Sequence, residues 1–155
     1  MSERVKTAER TLYDAFNKGE LNAFTCQACA VHNLLKQDKA FLNKRKELGL
    51  GPSWQIHGVC HRKNEIEVYC DIITDPPFHT QFSVLQLAKI ERKFLEAWQE
   101  EEKLHIDYGT DKTIQFRGLM KVLDYLYELD GLKTPTETYN KFLSVLDEKE
   151  KELVK

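Results

Sequence analysis

Val5, Ala8, Leu12, Ala15 and Phe16 recur at steps of three and four residues, the spacing of one apolar stripe on a helix. Gly19 is placed to end that helix. A second helix is expected over residues 21–36, with Leu21, Phe24, Ala28, Val31 and Leu35 as its main stripe. Residues 38–48 predict a third, shorter helix rich in Lys and Arg, and Gly49-Leu50-Gly51-Pro52-Ser53 breaks it.

The period then changes. Trp54, Ile56, Gly58 and Cys60 alternate with Gln55, His57, Val59 and His61. After Arg62-Lys63-Asn64, Ile66, Val68, Cys70 and Ile72 alternate with Glu65, Glu67, Tyr69 and Asp71. This predicts a β-hairpin at about residues 54–73. A three-residue loop suits Asn64, which tolerates the left-handed conformation. Cys60 then faces Ile66, Ile56 faces Cys70, and the apolar residues share one side. Asp75-Pro76-Pro77 ends the hairpin.

Helical spacing returns at Ser83, which has Gln86 three residues on, a capping-box pattern. Leu87, Ile90, Phe94 and Trp98 form the stripe of that helix, and Glu100, Glu101 and Glu102 form its solvated end. Asp111 is a cap for the next helix, which is apolar nearly all round (Phe116, Leu119, Met120, Val122, Leu123, Tyr125, Leu126, Tyr127, Leu129) and should be central. Gly131 is its stop. Thr134-Pro135-Thr136-Glu137 is a helix start, followed by Tyr139, Phe142, Leu143, Leu146 and a charged tail.

The fold class is therefore mainly α. We expect a compact single-domain bundle of five to six helices over residues 1–155, with one hairpin at 54–73. Composition agrees: 155 residues suit one domain, and 41% apolar with 10% aromatic content is that of a globular chain. A net charge of −2 gives no overall pull towards nucleic acid or anionic lipid. No run of residues is apolar enough to span a membrane, and the charged N-terminal helix is unlike a signal peptide. The expected location is the cytoplasm, with reduced thiols. Oligomeric state is left open by the pattern.

The candidate chemistry centres on Cys26 and Cys29, with His32 and Asn33 close by. On one helix the two thiols would be neighbours at i and i+3, on a side away from the main stripe. A metal reading takes Cys26 and Cys29 with two of His32, Cys60, His61 and Cys70 as zinc ligands. The long separation of Cys29 from Cys60, and the apolar faces expected around Cys60 and Cys70, favour cysteine as a small hydrophobe, with no cofactor. A dithiol redox site needs its first Cys at a helix start led into by a strand, which the pattern lacks unless Thr25 is the cap. His57 and His61 fall on a polar hairpin face with Glu65, Glu67, Tyr69 and Asp71, which reads as solvated surface. Phosphate-binding glycine loops, nucleophile elbows and His-Glu-x-x-His motifs are missing, and the thiols lack ferredoxin spacing. Catalysis is disfavoured.

Charge is unevenly placed. Lys36, Lys39, Lys44, Arg45 and Lys46 crowd the third helix, and His61, Arg62 and Lys63 tip the hairpin. The acids lie far along the chain, at 96–102 and 147–152. This local basic surface suggests a binding patch for a protein or ribonucleoprotein, with direct RNA contact as one form. The leading function is a non-catalytic binding or inhibitor protein, for example a small bacterial or phage protein that blocks an RNA-guided defence nuclease. The alternatives are a metal- or thiol-dependent accessory protein centred on Cys26 and Cys29, and an accessory protein of a respiratory complex.

Three blocks, CQACAVHNLL (26–35), FSVLQLAKIERKFL (82–95) and FRGLMKVLDYLYELDG (116–131), resemble a family of small bacterial helical proteins often described as a component of a sodium-translocating NADH–quinone reductase. They total 40 of the 155 residues, and the first is the most specific. The sequence departs from the family pattern at His32, where the pattern has Gly, and in the basic helix and the 54–73 region. The resemblance implies a compact helical fold, and its name motivates the respiratory alternative. It supplies no mechanism.

Overall fold

A computed structural model describes residues 1–24, 29–36, 39, 43 and 81–154. The hairpin expected at 54–73, with Cys60, Cys70, His61, Arg62 and Lys63, lies outside the described residues. So do Cys26, Lys44, Arg45 and Lys46. Among the described residues the protein is mainly α, with five α-helices and no strand: α1 (Glu3–Asn17), α2 (Ala30–Leu35), α3 (Val84–Glu100), α4 (Lys112–Leu129) and α5 (Pro135–Val154). A 3-10 turn, Ile106–Tyr108, joins α3 to α4. No helix among the described residues is long and apolar enough to cross a membrane.

Helix ends follow the local chemistry of the sequence. Ser2 caps α1, and its hydroxyl accepts from the Val5 N–H at 3.4 Å. Ser83 and Gln86 form a reciprocal capping box, with the Gln86 N–H donating to Ser83 Oγ at 3.1 Å and the Ser83 N–H donating to Gln86 Oε1 at 3.0 Å. Thr134 and Glu137 repeat that exchange at the start of α5. The Asp111 carboxylate accepts from the Thr113 and Ile114 N–H groups. Each device satisfies backbone donors that have no partner within their helix.

Three helices also end alike. After α1 the Glu20 N–H donates to the Ala15 carbonyl and the Gly19 N–H to that of Phe16, with Gly19 at φ +70°. After α4 the same pair of bonds runs from Leu132 to Tyr127 and from Gly131 to Glu128, with Gly131 at φ +68°. After α3 they run from Lys103 to Trp98 and from Glu102 to Gln99, but there Glu102 holds the left-handed position at φ +55°. These are Schellman closures, and only the third lacks the glycine that makes the conformation easy.

α3 and α4 form the centre, packed along their lengths. They approach closely at Gly118, where an added Cβ would lie 2.8 Å from both Phe94 Cδ2 and the Phe94 carbonyl oxygen. The Phe94 ring meets Trp98 edge-on at 4.9 Å, and Phe24 meets Trp98 from another side at 6.2 Å. Trp98 is fully buried, and its indole N–H donates to the Tyr108 carbonyl at 2.7 Å. α1 lies antiparallel to α4 and is tied at both ends. Ser2 donates through N–H and hydroxyl to the Asp130 carboxylate, and Lys112 Nζ donates to the Phe16 carbonyl.

The second helix differs from the sequence expectation. Leu21 to Phe24 are not helical, and α2 begins at Ala30. The reason is local competition for the backbone. Asn22 Oδ1 accepts from the Phe24 N–H at 2.9 Å, an Asx turn that a helix would forbid. Leu21 and Ala23 are still buried, so their apolar character records burial and not helical period. α5 differs in another way. Its apolar positions Tyr139, Phe142, Leu143 and Leu146 are exposed rather than packed into the bundle.

Candidate functional site

The described chemistry gathers where α2 meets the end of α1 and the middle of α3. Cys29 is not an interior helical residue. It is the N-cap of α2, fully buried, with Sγ accepting from the His32 N–H at 3.4 Å. The expected side-by-side placement of Cys26 and Cys29 on one helix is therefore corrected for Cys29, and Cys26 lies outside the described residues. Sulfur is a weak acceptor, but it stands where Ser or Asp normally caps. Asn33 is buried as well. Its Nδ2 donates to the Cys29 carbonyl at 3.0 Å and to the Glu20 carbonyl at 3.1 Å, tying α2 to the chain that leaves α1.

Glu91 lies in the middle of the α3 stripe, fully buried, and its Oε2 accepts from the Val31 N–H at 3.2 Å. A carboxylate against the first turn of a helix suits the donors and partial positive charge found there. Gln115 completes the frame from α4. Its Nε2 donates to the Leu21 carbonyl and, at 3.1 Å, to the Gly109 carbonyl. Gly109 is tightly enclosed, for an added Cβ would lie 2.5 Å from Asn22 Oδ1. Glu91 and Gln115 are not among the residues that sequence pattern singles out by type. The signal was present: Glu91 is four residues after Leu87 and three before Phe94, and Gln115 is four before Leu119. A polar residue in phase with a buried stripe is usually holding backbone.

Of the expected metal ligands, Cys29 and His32 are in the described part, one turn apart, His32 only partly buried. Cys26, Cys60, Cys70 and His61 are not. Among the described residues no group of three or more His, Cys, Asp and Glu is arranged to hold a metal ion. Of the expected basic patch, Lys36 pairs with Glu20 at 3.1 Å, so its charge is partly matched, and Lys39 is exposed. The other patch residues fall outside the described part.

The remaining electrostatic features are structural. Burial, reinforced by a 2.9 Å hydrogen bond to Glu9, pushes the Tyr127 hydroxyl up to about 12. Burial raises Tyr13 as well, with Glu9 adding to it. The backbone N–H of Ser2 holds the Asp130 carboxyl below its ordinary range. A half-open groove of about 120 Å³ lies between Arg4, Thr7, Thr11, Leu34, Gln81 and Phe82. Small-molecule sites are usually ~300–1,000 Å³, so this groove suits a side chain or ordered waters better than a cofactor. No family model, curated protein or solved structure matches the chain.

Proposed function

We propose that this chain is a non-catalytic binding protein that acts by occupying the surface of a protein or ribonucleoprotein partner. Its contact region is the basic patch of Lys36, Lys39, Lys44, Arg45, Lys46, His61, Arg62 and Lys63. The observation that supports this reading most is the use of the buried polar side chains. Cys29, Asn33, Glu91 and Gln115 each bond to backbone N–H or carbonyl groups and thereby fix α2 and the segment before it. These bonds serve the scaffold, and the proposal assigns the contact to the charged exterior. A protein that inhibits an RNA-guided defence nuclease needs this combination, a stable scaffold with a charged face.

The test is capture of partners from the native host by the full chain, with nucleic acid and protein both identified. The comparison is a variant carrying Lys44→Glu, Arg45→Glu, Arg62→Glu and Lys63→Glu. Charge-dominated binding weakens steeply with salt, and removing contacts to phosphate flattens that slope. The proposal expects the variant to lose the partner, or to bind it with a reduced salt dependence. An unchanged partner set with unchanged salt dependence would remove the patch from consideration.

A further inference from the structure

We infer that α5 is a self-association surface, covered by a second copy of this chain lying antiparallel to it. The inference is independent of the basic patch, because α5 contains none of its residues and carries a different chemistry.

The starting point is a mismatch between pattern and burial. With about 100° per residue, Tyr139, Phe142, Leu143, Leu146 and Leu153 fall within one arc of roughly 100°. Yet they are exposed at 60%, 59%, 37%, 42% and 85%. Among the described residues, its side-chain hydrogen bonds to the body lie in the first turn, where the Thr136 N–H and hydroxyl donate to Asp124 at 3.1 and 2.6 Å. A 20-residue amphipathic helix gains most of its stability from covering its apolar face.

The charges favour a copy of the same chain over a strongly charged partner. The opposite side and flanks of α5 carry Glu137, Lys141, Asp147, Glu148, Lys149, Lys151 and Glu152, and Glu150 falls within the apolar arc between Leu146 and Leu153. Both signs are interspersed, so two copies do not repel strongly, and there is little field to recruit an acidic or basic stranger.

The stripe is also self-complementary. A two-fold axis midway between Phe142 and Leu143 sets Tyr139 of each copy opposite Leu146 of the other, and Phe142 opposite Leu143. Continued to the helix end, that register brings Leu153 towards Leu132, itself 37% exposed, and Glu152 towards Lys133. A contact made by one patch with itself about a two-fold is the commonest way a soluble dimer closes. At these exposures the stripe offers roughly 500 Å² per copy, given ~150–250 Å² for a whole aromatic side chain. Two copies together would cover about 1,000 Å², the lower edge of specific interfaces.

Light scattering after gel filtration of the full chain, from about 1 to 100 μM, spans the affinities expected of such an interface. The inference expects a mass that rises with concentration towards twice 18.2 kDa. Phe142→Glu with Leu146→Glu should hold the chain at the monomer mass throughout. Both sites are exposed, so the variant should fold, and its circular dichroism reports that directly. Lys141→Glu, on the charged side, should dimerise like the parent. A parent chain that stays monomeric at the top of the range, or a double variant that still dimerises, overturns the inference.

Discussion

Gly118→Ala sets two physical effects against each other, and the structure decides between them. Gly118 lies inside α4, where alanine normally stabilises a helix by ~0.8–1.0 kcal/mol over glycine. On propensity alone the variant should be more stable. The added Cβ, however, would meet the Phe94 ring and the Phe94 carbonyl oxygen, each at 2.8 Å. Ordinary contact begins near 3.4 Å, so α3 and α4 must separate by about half an ångström or Phe94 must leave its position against Trp98. Overpacking of this kind costs ~1–3 kcal/mol, and the backbone oxygen has no rotamer by which to escape. The net effect is a loss of about 1–2 kcal/mol, since the upper part of that range outweighs the propensity gain. For a chain of this length that lowers Tm by about 2–8 °C. The assay is thermal and urea unfolding of the parent, Gly118→Ala, Phe94→Leu and the double variant. Removing the ring should recover part of the loss, giving a coupling of ~0.5 kcal/mol or more, while the carbonyl keeps the rest in place. If Gly118→Ala raises Tm, the close approach of α3 and α4 is not as described.

Cys29→Ala should cost ~1 kcal/mol in unfolding free energy by removing the α2 cap, whereas Cys29→Ser should keep most of it, because a hydroxyl caps well; equal losses in the two would mean the sulfur matters only as volume. Glu102→Gly should stabilise by ~0.5–1 kcal/mol in the same measurement, because glycine fits the positive φ with less strain. A neutral or negative result would remove strain at that turn from the account. Tyr127 gives a pH test. Its folded hydroxyl titrates at about 12 against an ordinary value near 10. Stability from this group is therefore fully present below about pH 10 and is lost as pH rises towards 12, because the unfolded chain loses the proton first. Tyr127→Phe should flatten the urea midpoint between those pH values, and an unchanged alkaline slope would show that this hydroxyl is not the group responsible.

Much of the helical frame was legible because its signals are local. Ser83 with Gln86, Asp111, Thr134 with Glu137, Gly19 and Gly131 each mark a boundary through contacts within a few residues, and the structure uses all of them. The centrality of α4 followed from apolar residues on more than one side. The helix expected over 21–36 holds at 30–35 and fails at 21–24, because Leu21 and Ala23 are buried, and Phe24 partly so, by a chain shaped by Asn22 and held by Gln115, an arrangement with no helical period to detect. Gly118 was silent for a related reason. Nothing in its neighbours in sequence reveals that Phe94 lies against it. The site was only half legible. Cys29 and Asn33 stood out by type, but their role as cap and tie depends on the chain ending α1 and on Glu91 from α3.

The proposed function requires that Cys29 serve the scaffold, as its capping bond to His32 indicates, and that no metal be resident there. Elemental analysis by mass spectrometry of the full chain, purified without chelator, should find zinc and iron far below one atom per chain, with no change on Cys29→Ser. About one zinc or iron per chain, lost on that substitution, would contradict it and move the functional centre to the cysteines.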